Sequence, residues 1–356
     1  MPRKKDLKKV DSDSAEKYYR NGLASSKKGK LKSALADYEK ALRYDPGFFK
    51  AWINRGAVLL KLDRPEEALE CFEKAIEINS DNSRAWVDKG VTLRELGRLK
   101  EEIPCYDKAL KINSKDVGAW LNKGIALGDD GKKIREEIIC YDKALEIQPD
   151  LLQAWVCKGM AMGKLNKTNE ELVCYERAIE IDPDFSPALL NKGIALARME
   201  EAEEALVCFD NALEADPFDP EGWLNKGLIL NVLDIPEDAI PCFNRVVEIL
   251  PYSIKGWIGK GRAHLELEQA DDAVTCFEKA LEIDDLNLDA LVGKGEALTV
   301  LGKPAEAVKL FKKALEIDPH NSEAWAGKGA ALKKLGQEKK SLHCFKLSLI
   351  TARSRS

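Results

Sequence analysis

The sequence predicts an all-α solenoid built from a 34-residue helix-turn-helix unit. Three observations predict it. The seven tryptophans (Trp52, Trp86, Trp120, Trp155, Trp223, Trp257 and Trp325) stand 34, 34, 35, 68, 34 and 68 residues apart, and Leu189 and Leu291 hold the midpoints of the two double gaps. A glycine follows each of these anchors by four residues. An aromatic residue follows each glycine by sixteen residues, or seventeen in one case. A chain that repeats its bulkiest and smallest side chains at a fixed period builds units that bury their apolar faces only against their neighbours.

With the tryptophan at position 4, ten units start at Ala15, Phe49, Ser83, Val117, Leu152, Ser186, Pro220, Ile254, Leu288 and Ser322. Positions 4, 8 and 11 recur at helical spacing and define a first helix; positions 20, 24, 27 and 28 define a second. Between them, Gly or Asp at position 15 (Gly29, Asp63, Gly97, Asp234, Gly302, Gly336) suits a left-handed helix end. Proline at position 32, as in Asp45-Pro46 and Asp318-Pro319, ends the second helix. Glycine at 8 and alanine at 20 are small because two helices cross there, and the aromatic at 24 fills the space beside them.

Along the chain, residues 1–14 read as a disordered basic arm carrying Arg3, Lys4, Lys5, Lys8 and Lys9. Residues 15–350 read as ten units in one solenoid, and 351–356 as a short tail. Units three to five are irregular. Position 20 becomes Glu102, Glu137 and Glu171, and a carboxylate at a helix crossing is costly if buried. Either the crossing opens or the side chain escapes to the edge. The same region holds a one-residue insertion between Gly128 and Lys133, Asp130 in place of a core leucine, and Pro104 early in a second helix. Units three to five are therefore expected to be the least stable, whether by drift or as a bend that widens a groove. After the tenth unit no further polar helix is visible, so Leu342, Phe345 and Leu349 are expected to be partly exposed and to invite self-association through that end.

A net charge of −5, from 56 basic and 61 acidic residues, argues against nucleic acid as the main partner. No apolar run is long enough for a membrane helix, and no hydrophobic segment follows the N-terminal charges, so a cytoplasmic protein is expected.

Chemical motifs are few. Eight of nine cysteines recur at position 23 (Cys71, Cys105, Cys140, Cys174, Cys208, Cys242, Cys276, Cys344). Equivalent helices in a stack lie at least about 8–10 Å apart, too far for a disulfide. The series reads as small apolar packing beside the aromatics. Cys157, at position 6, is the candidate accessible thiol. His264, His320 and His343 form no ligand set or triad, and Asp129-Asp130-Gly131 lacks the alternating oxygens of a calcium loop. No catalytic residues, metal site or cofactor are expected, and an enzyme is disfavoured because no nucleophile, base and orienting group assemble.

The W, G, A, aromatic and P series over 34 residues resembles the tetratricopeptide repeat family. One departure is systematic: position 7, usually leucine, is Lys or Arg in nine units (Arg55, Lys89, Lys123, Lys158, Lys192, Lys226, Lys260, Lys294, Lys328). These read as side chains whose stems cover the helix pair while the charged head reaches water. The resemblance implies a right-handed superhelix whose first helices line a concave groove, and a protein that binds other proteins or peptides. It also implies that positions 2, 5, 6, 9, 12 and 13 face that groove. Position 6 holds Asn54, Asp88, Asn122, Asn191 and Asn225, and position 5 is apolar, including Leu121, Leu190 and Leu224. An amide offers both a donor and an acceptor to an extended backbone. The column is similar to the asparagine ladder of the O-linked N-acetylglucosamine transferase superhelix, broken here by Asp88 and Cys157. The expectation is a non-catalytic scaffold or adaptor holding an extended segment across units two to seven. A regulatory subunit of a separate enzyme and an RNA-binding repeat are the alternatives; the acidic charge opposes the last. The basic clamp by which chaperone-type members hold a C-terminal carboxylate is not expected, since position 5 is never basic.

Overall fold

The computed structural model describes residues 11–353, all helices and short turns with no strand. Most of the proposed basic arm, residues 1–10, lies outside the described residues. The chain divides into two compact bodies, Met1–Ile181 and Asp182–Ser356, each holding five repeats. The N-terminal body contains α1 (Ser12–Lys27) with α2 (Leu31–Tyr44), α3 (Phe49–Leu60) with α4 (Pro65–Ile78), α5 (Ser83–Glu95) with α6 (Leu99–Ile112), α7 (Val117–Asp130) with α8 (Ile134–Ile147), and α9 (Leu152–Lys164) with α10 (Thr168–Ile181). The C-terminal body contains α11 (Ser186–Arg198) with α12 (Ala202–Ala215), α13 (Pro220–Val232) with α14 (Pro236–Ile249), α15 (Ile254–Glu266) with α16 (Ala270–Ile283), α17 (Leu288–Val300) with α18 (Pro304–Ile317), and α19 (Ser322–Lys334) with α20 (Glu338–Arg353). Asp11 caps α1 by accepting the Ser14 N–H, so the helix reaches into the segment read as the arm, and α20 reaches into the segment read as the tail.

The turn inside each repeat follows from position 15. That residue has positive φ in all ten repeats: five are glycine, and the others are Asp63, Asn166, Glu200, Asp234 and Glu268. In nine repeats the next N–H bonds back to the carbonyl at position 11, as in Arg98 to Leu93 at 2.8 Å. This is the six-to-one bond that closes a Schellman end. Repeat 4 carries its inserted residue in this turn, α7 runs one residue longer than its counterpart α5, and the described residues show no such closing bond there.

Packing within a repeat rests on glycine at 8 and the aromatic at 24. A Cβ on Gly22 would lie 2.5 Å from the Tyr38 ring, and one on Gly193 2.6 Å from Phe209. The ring therefore rests directly on the helix backbone and is fully buried. Between repeats, every tryptophan indole donates to the carbonyl six residues earlier, from Trp52 to Pro46 at 2.9 Å through Trp325 to Pro319 at 2.9 Å. The anchor read from the sequence thus ties each first helix to the turn before it.

The position-7 bases do more than cover apolar surface. Six of the nine pair with the acid sixteen residues earlier on the preceding second helix: Arg55 with Glu39, Lys89 with Glu73, Lys123 with Asp107, Lys158 with Asp142, Lys226 with Asp210 and Lys294 with Glu278. Several also lie over the tryptophan of their own helix, as Lys226 does over Trp223 at 5.5 Å. Their heads are tied between repeats rather than simply solvated.

The position-20 carboxylates neither open the crossing nor escape. Glu102, Glu137 and Glu171 are 1%, 2% and 3% exposed. Arg94 donates to Glu102 through Nε and Nη2 at 3.1 and 3.3 Å, and its Nη1 reaches Asp129 of the next repeat at 2.7 Å. Glu137 accepts from the Tyr141 hydroxyl at 3.3 Å and faces Lys164 of the next repeat at 3.6 Å. Glu171 accepts from Tyr175. Room for the last two comes from Gly128 and Gly163, where a Cβ would collide with the carboxylate. Pro104 is not peculiar to the irregular repeats, since Pro241 interrupts α14 at the same position.

In the C-terminal body, position 6 becomes Gly259, Gly293 and Gly327. Each sits against the aromatic of the preceding repeat (Phe243, Phe277 and Phe311), where a Cβ would approach to 2.4 Å. The first helices α15, α17 and α19 accordingly pack more closely on one another than α1, α3 and α5 do.

Candidate functional site

The first-helix face is where variation is not consumed by the fold. Position 6 lies one residue before the buried-facing position 7, at the rim between adjacent first helices. The structure places Asn54, Asp88 and Asn122 there in the N-terminal body and Asn191 and Asn225 in the C-terminal body, all half-buried. Each asparagine amide is held the same way. Its Nδ2 donates to the carbonyl four residues back on its own helix: Asn54 to Lys50 at 2.8 Å, Asn122 to Gly118 at 2.8 Å, Asn191 to Pro187 at 2.7 Å and Asn225 to Glu221 at 2.9 Å. One hydrogen is thereby used, which fixes the amide plane. Among the described residues no further hydrogen bond engages Asn122, Asn191 or Asn225, so each keeps an acceptor and a second donor for a ligand. Asn54 differs, since it also donates to the Tyr19 hydroxyl at 3.1 Å.

Asp88 breaks the series chemically as well as in name. Burial pushes its carboxyl above the ordinary range, while Arg84, 3.4 Å away, opposes that. It can only accept when ionised. The apolar position-5 residues are less available than their register suggests: Leu190 is buried, and Leu121 and Leu224 are half-buried. Leu121 and Leu224 pack against the hydrophobic clusters of the adjoining helices.

Cys157, read as the accessible thiol, is half-buried, and burial pushes its thiol up. A thiol shifted in that direction holds less thiolate at neutral pH, so it is a poor nucleophile. The other eight cysteines are buried and form no disulfide among the described residues. Burial raises Cys71, Cys140, Cys174 and Cys242 to about 11. His264 Nδ1 meets Gln269 Oε1 at 2.6 Å within its own turn. No group of three His, Cys, Asp or Glu side chains among the described residues is placed to hold a metal, and Gly131 ends α7 in a left-handed cap.

Sequence profiles described as tetratricopeptide repeat or TPR repeat match residues 22–63, 49–82, 71–103, 152–185, 175–254, 258–322 and 298–349. No curated protein matches the chain. Among solved structures the chain is similar to a tetratricopeptide repeat protein from Parabacteroides merdae, with 16% identity and a TM-score of 0.53 over 66% of this chain and 93% of that one. It is also similar to pilF of Pseudomonas aeruginosa, with 18% identity and a TM-score of 0.52 over 58% of this chain and 94% of that one. At these identities the likeness is one of fold.

Proposed function

We propose that this chain, which belongs to the tetratricopeptide repeat family, is a non-catalytic protein-interaction scaffold of the cytoplasm whose first helices hold extended segments of partner proteins. The observation that carries this reading is the common orientation of the position-6 amides. Three of them, Asn122, Asn191 and Asn225, are fixed by one bond to their own helix and keep a donor and an acceptor. Such amides bond the backbone of a strand-like segment with little demand on its sequence. In the N-terminal body the contacts are Asn54, Asp88 and Asn122, with Leu121 as an apolar wall. In the C-terminal body they are Asn191 and Asn225, with Leu190 and Leu224. A cytoplasmic setting is supported by nine cysteines without a disulfide. No helix among the described residues is long and apolar enough to cross a membrane.

The test begins with affinity capture of partners from the source cell. A captured partner is then measured against Asn191→Ala/Asn225→Ala and against Asn211→Ala, an exposed asparagine on the second helix α12. Each lost amide contact is worth roughly 0.5–1.5 kcal/mol, so the double variant should bind about tenfold more weakly, with Asn211→Ala unchanged. Equal affinities for both variants would mean that the amide column does not hold the partner. Recovery of one enzyme in fixed stoichiometry would favour a regulatory subunit instead.

A further inference from the structure

The second-helix side of the last two repeats carries a charge arrangement found nowhere else in the chain. Position 25 is acidic in repeats 1 to 6 and 8 and is Asn244 in repeat 7; in repeat 9 it is Lys312. Position 19 is acidic in repeats 2 to 9, as at Glu306, but it is Lys340 in repeat 10. These two positions supply the carboxylates that surround the position-7 base elsewhere. Six such bases are bridged to the position-25 acid before them, whereas Lys328 has no acidic partner among the described residues. The thiols at position 23 register the same change. Cys105 is pushed up by burial, opposed by Lys89, and further raised by Glu101, Glu102 and Glu73, while Cys344 feels only burial opposed by Lys328.

The bases converge on one cleft. Lys312 on α18, Lys328 on α19, and Lys339, Lys340 and His343 on α20 line a cavity of about 740 Å³ that has no acidic side chain in its wall. Its floor is apolar, formed by Val308, Trp325 and Leu332. The Lys328 ammonium lies 4.6 Å from the Trp325 ring centre. The equivalent cleft of repeat 5 measures about 380 Å³ and includes Glu170, and its Lys158 is bridged to Asp142.

We propose that this cleft is a second binding site, separate from the amide column, which takes an acidic peptide segment bearing an apolar side chain. Four lysines held together without counter-charge repel one another, and a bound carboxylate-rich segment relieves that repulsion. The volume exceeds what a single small anion fills, and the indole floor gives an aromatic or aliphatic side chain a surface to cover. A peptide, rather than a mineral anion or a nucleic acid, uses both the charge and the apolar floor.

The probe is a fluorescein-labelled short peptide of Asp and Glu around a central Phe, titrated into the full chain by anisotropy. The same peptide with Asn and Gln in place of the acids is the control. Lys312→Glu/Lys340→Glu restores the residue type that other repeats hold at these positions, so the fold should be kept and its melting temperature should not fall. The expected result is saturable binding of the acidic peptide alone, weakened by salt. Lys312→Glu/Lys340→Glu should weaken it at least about tenfold, Lys312→Gln/Lys340→Gln less so, and the exposed pair Lys108→Glu/Lys111→Glu less than about twofold. Equal binding by wild type and the Lys312→Glu/Lys340→Glu variant would overturn the proposal. So would displacement of the peptide by an equal concentration of inorganic phosphate, or tighter binding of poly(A) RNA than of the peptide. These lysines lie outside the amide column, so failure here leaves the asparagine test unaffected, and the reverse holds too.

Discussion

Glu102 occupies a position that is alanine in six repeats and serine in the tenth, and it is buried with Arg94 as its neighbour. The two partners are not equivalent. Arg94 keeps about a quarter of its side chain in water, while Glu102 keeps almost none. Removing the arginine therefore strands a buried carboxylate, and removing the acid leaves a base that can rehydrate. Arg94→Ala should destabilise the protein by about 3 kcal/mol, and Glu102→Gln should be neutral to about 1 kcal/mol stabilising; urea unfolding of both variants checks the order. Burial raises the carboxyl of Glu102 despite Arg94, and that of Glu137 despite Lys164. A folded pKa above the unfolded value means the folded state binds more protons, so these groups lose stability as pH rises from the ordinary carboxylate range through their folded pKa. Glu102→Gln/Glu137→Gln should therefore gain on wild type between pH 4 and pH 7, and a constant difference across that range would contradict the assignment. The sequence showed the misplaced acid but not its solution. Arg94 comes from position 12 of the same repeat and Lys164 from position 13 of the next, relationships that no local spacing reveals.

The turns between paired helices make a different kind of claim. Every position 15 adopts positive φ, although five of the ten residues are not glycine. Asp63, Asn166 and Asp234 have short polar side chains that tolerate this region; Glu200 and Glu268 do not. Replacing Glu268 with glycine removes a conformational cost of about 1–2 kcal/mol and adds back part of it as chain entropy. Glu268→Gly should thus raise stability by about 0.5–1 kcal/mol, read as a higher denaturation midpoint at unchanged slope. At this scale the sequence was most legible. The glycines at 15, the prolines at 32 and the aromatic on its glycine each act within one repeat. What stayed hidden acts between repeats. Position-7 bases looked solvated because their acids lie sixteen residues earlier on another helix. Gly259, Gly293 and Gly327 looked like an end to the amide column, yet they seat the preceding phenylalanine and draw first helices together.

Across the whole molecule these local differences predict uneven stability. Repeats 3 to 5 hold buried carboxylates, and repeat 4 has an insertion and, among the described residues, no closing bond at its turn. Repeats 8 to 10 have the closest first-helix packing. Amide hydrogen exchange of the free protein should be faster in α5 to α10 than in α12 to α18, because a repeat array opens where its units and junctions are weakest. The reverse order would mean that the buried ion pairs outweigh the lost turn. The proposed partner-binding face consists of residues the fold leaves unused: position-6 amides, each bonded to its own first helix. The most direct test is hydrogen exchange of the full chain with and without a captured partner. The expected result is protection in α3, α5 and α7 of the N-terminal body and in α11 and α13 of the C-terminal body. A partner that protects second helices while leaving these five unchanged would contradict it.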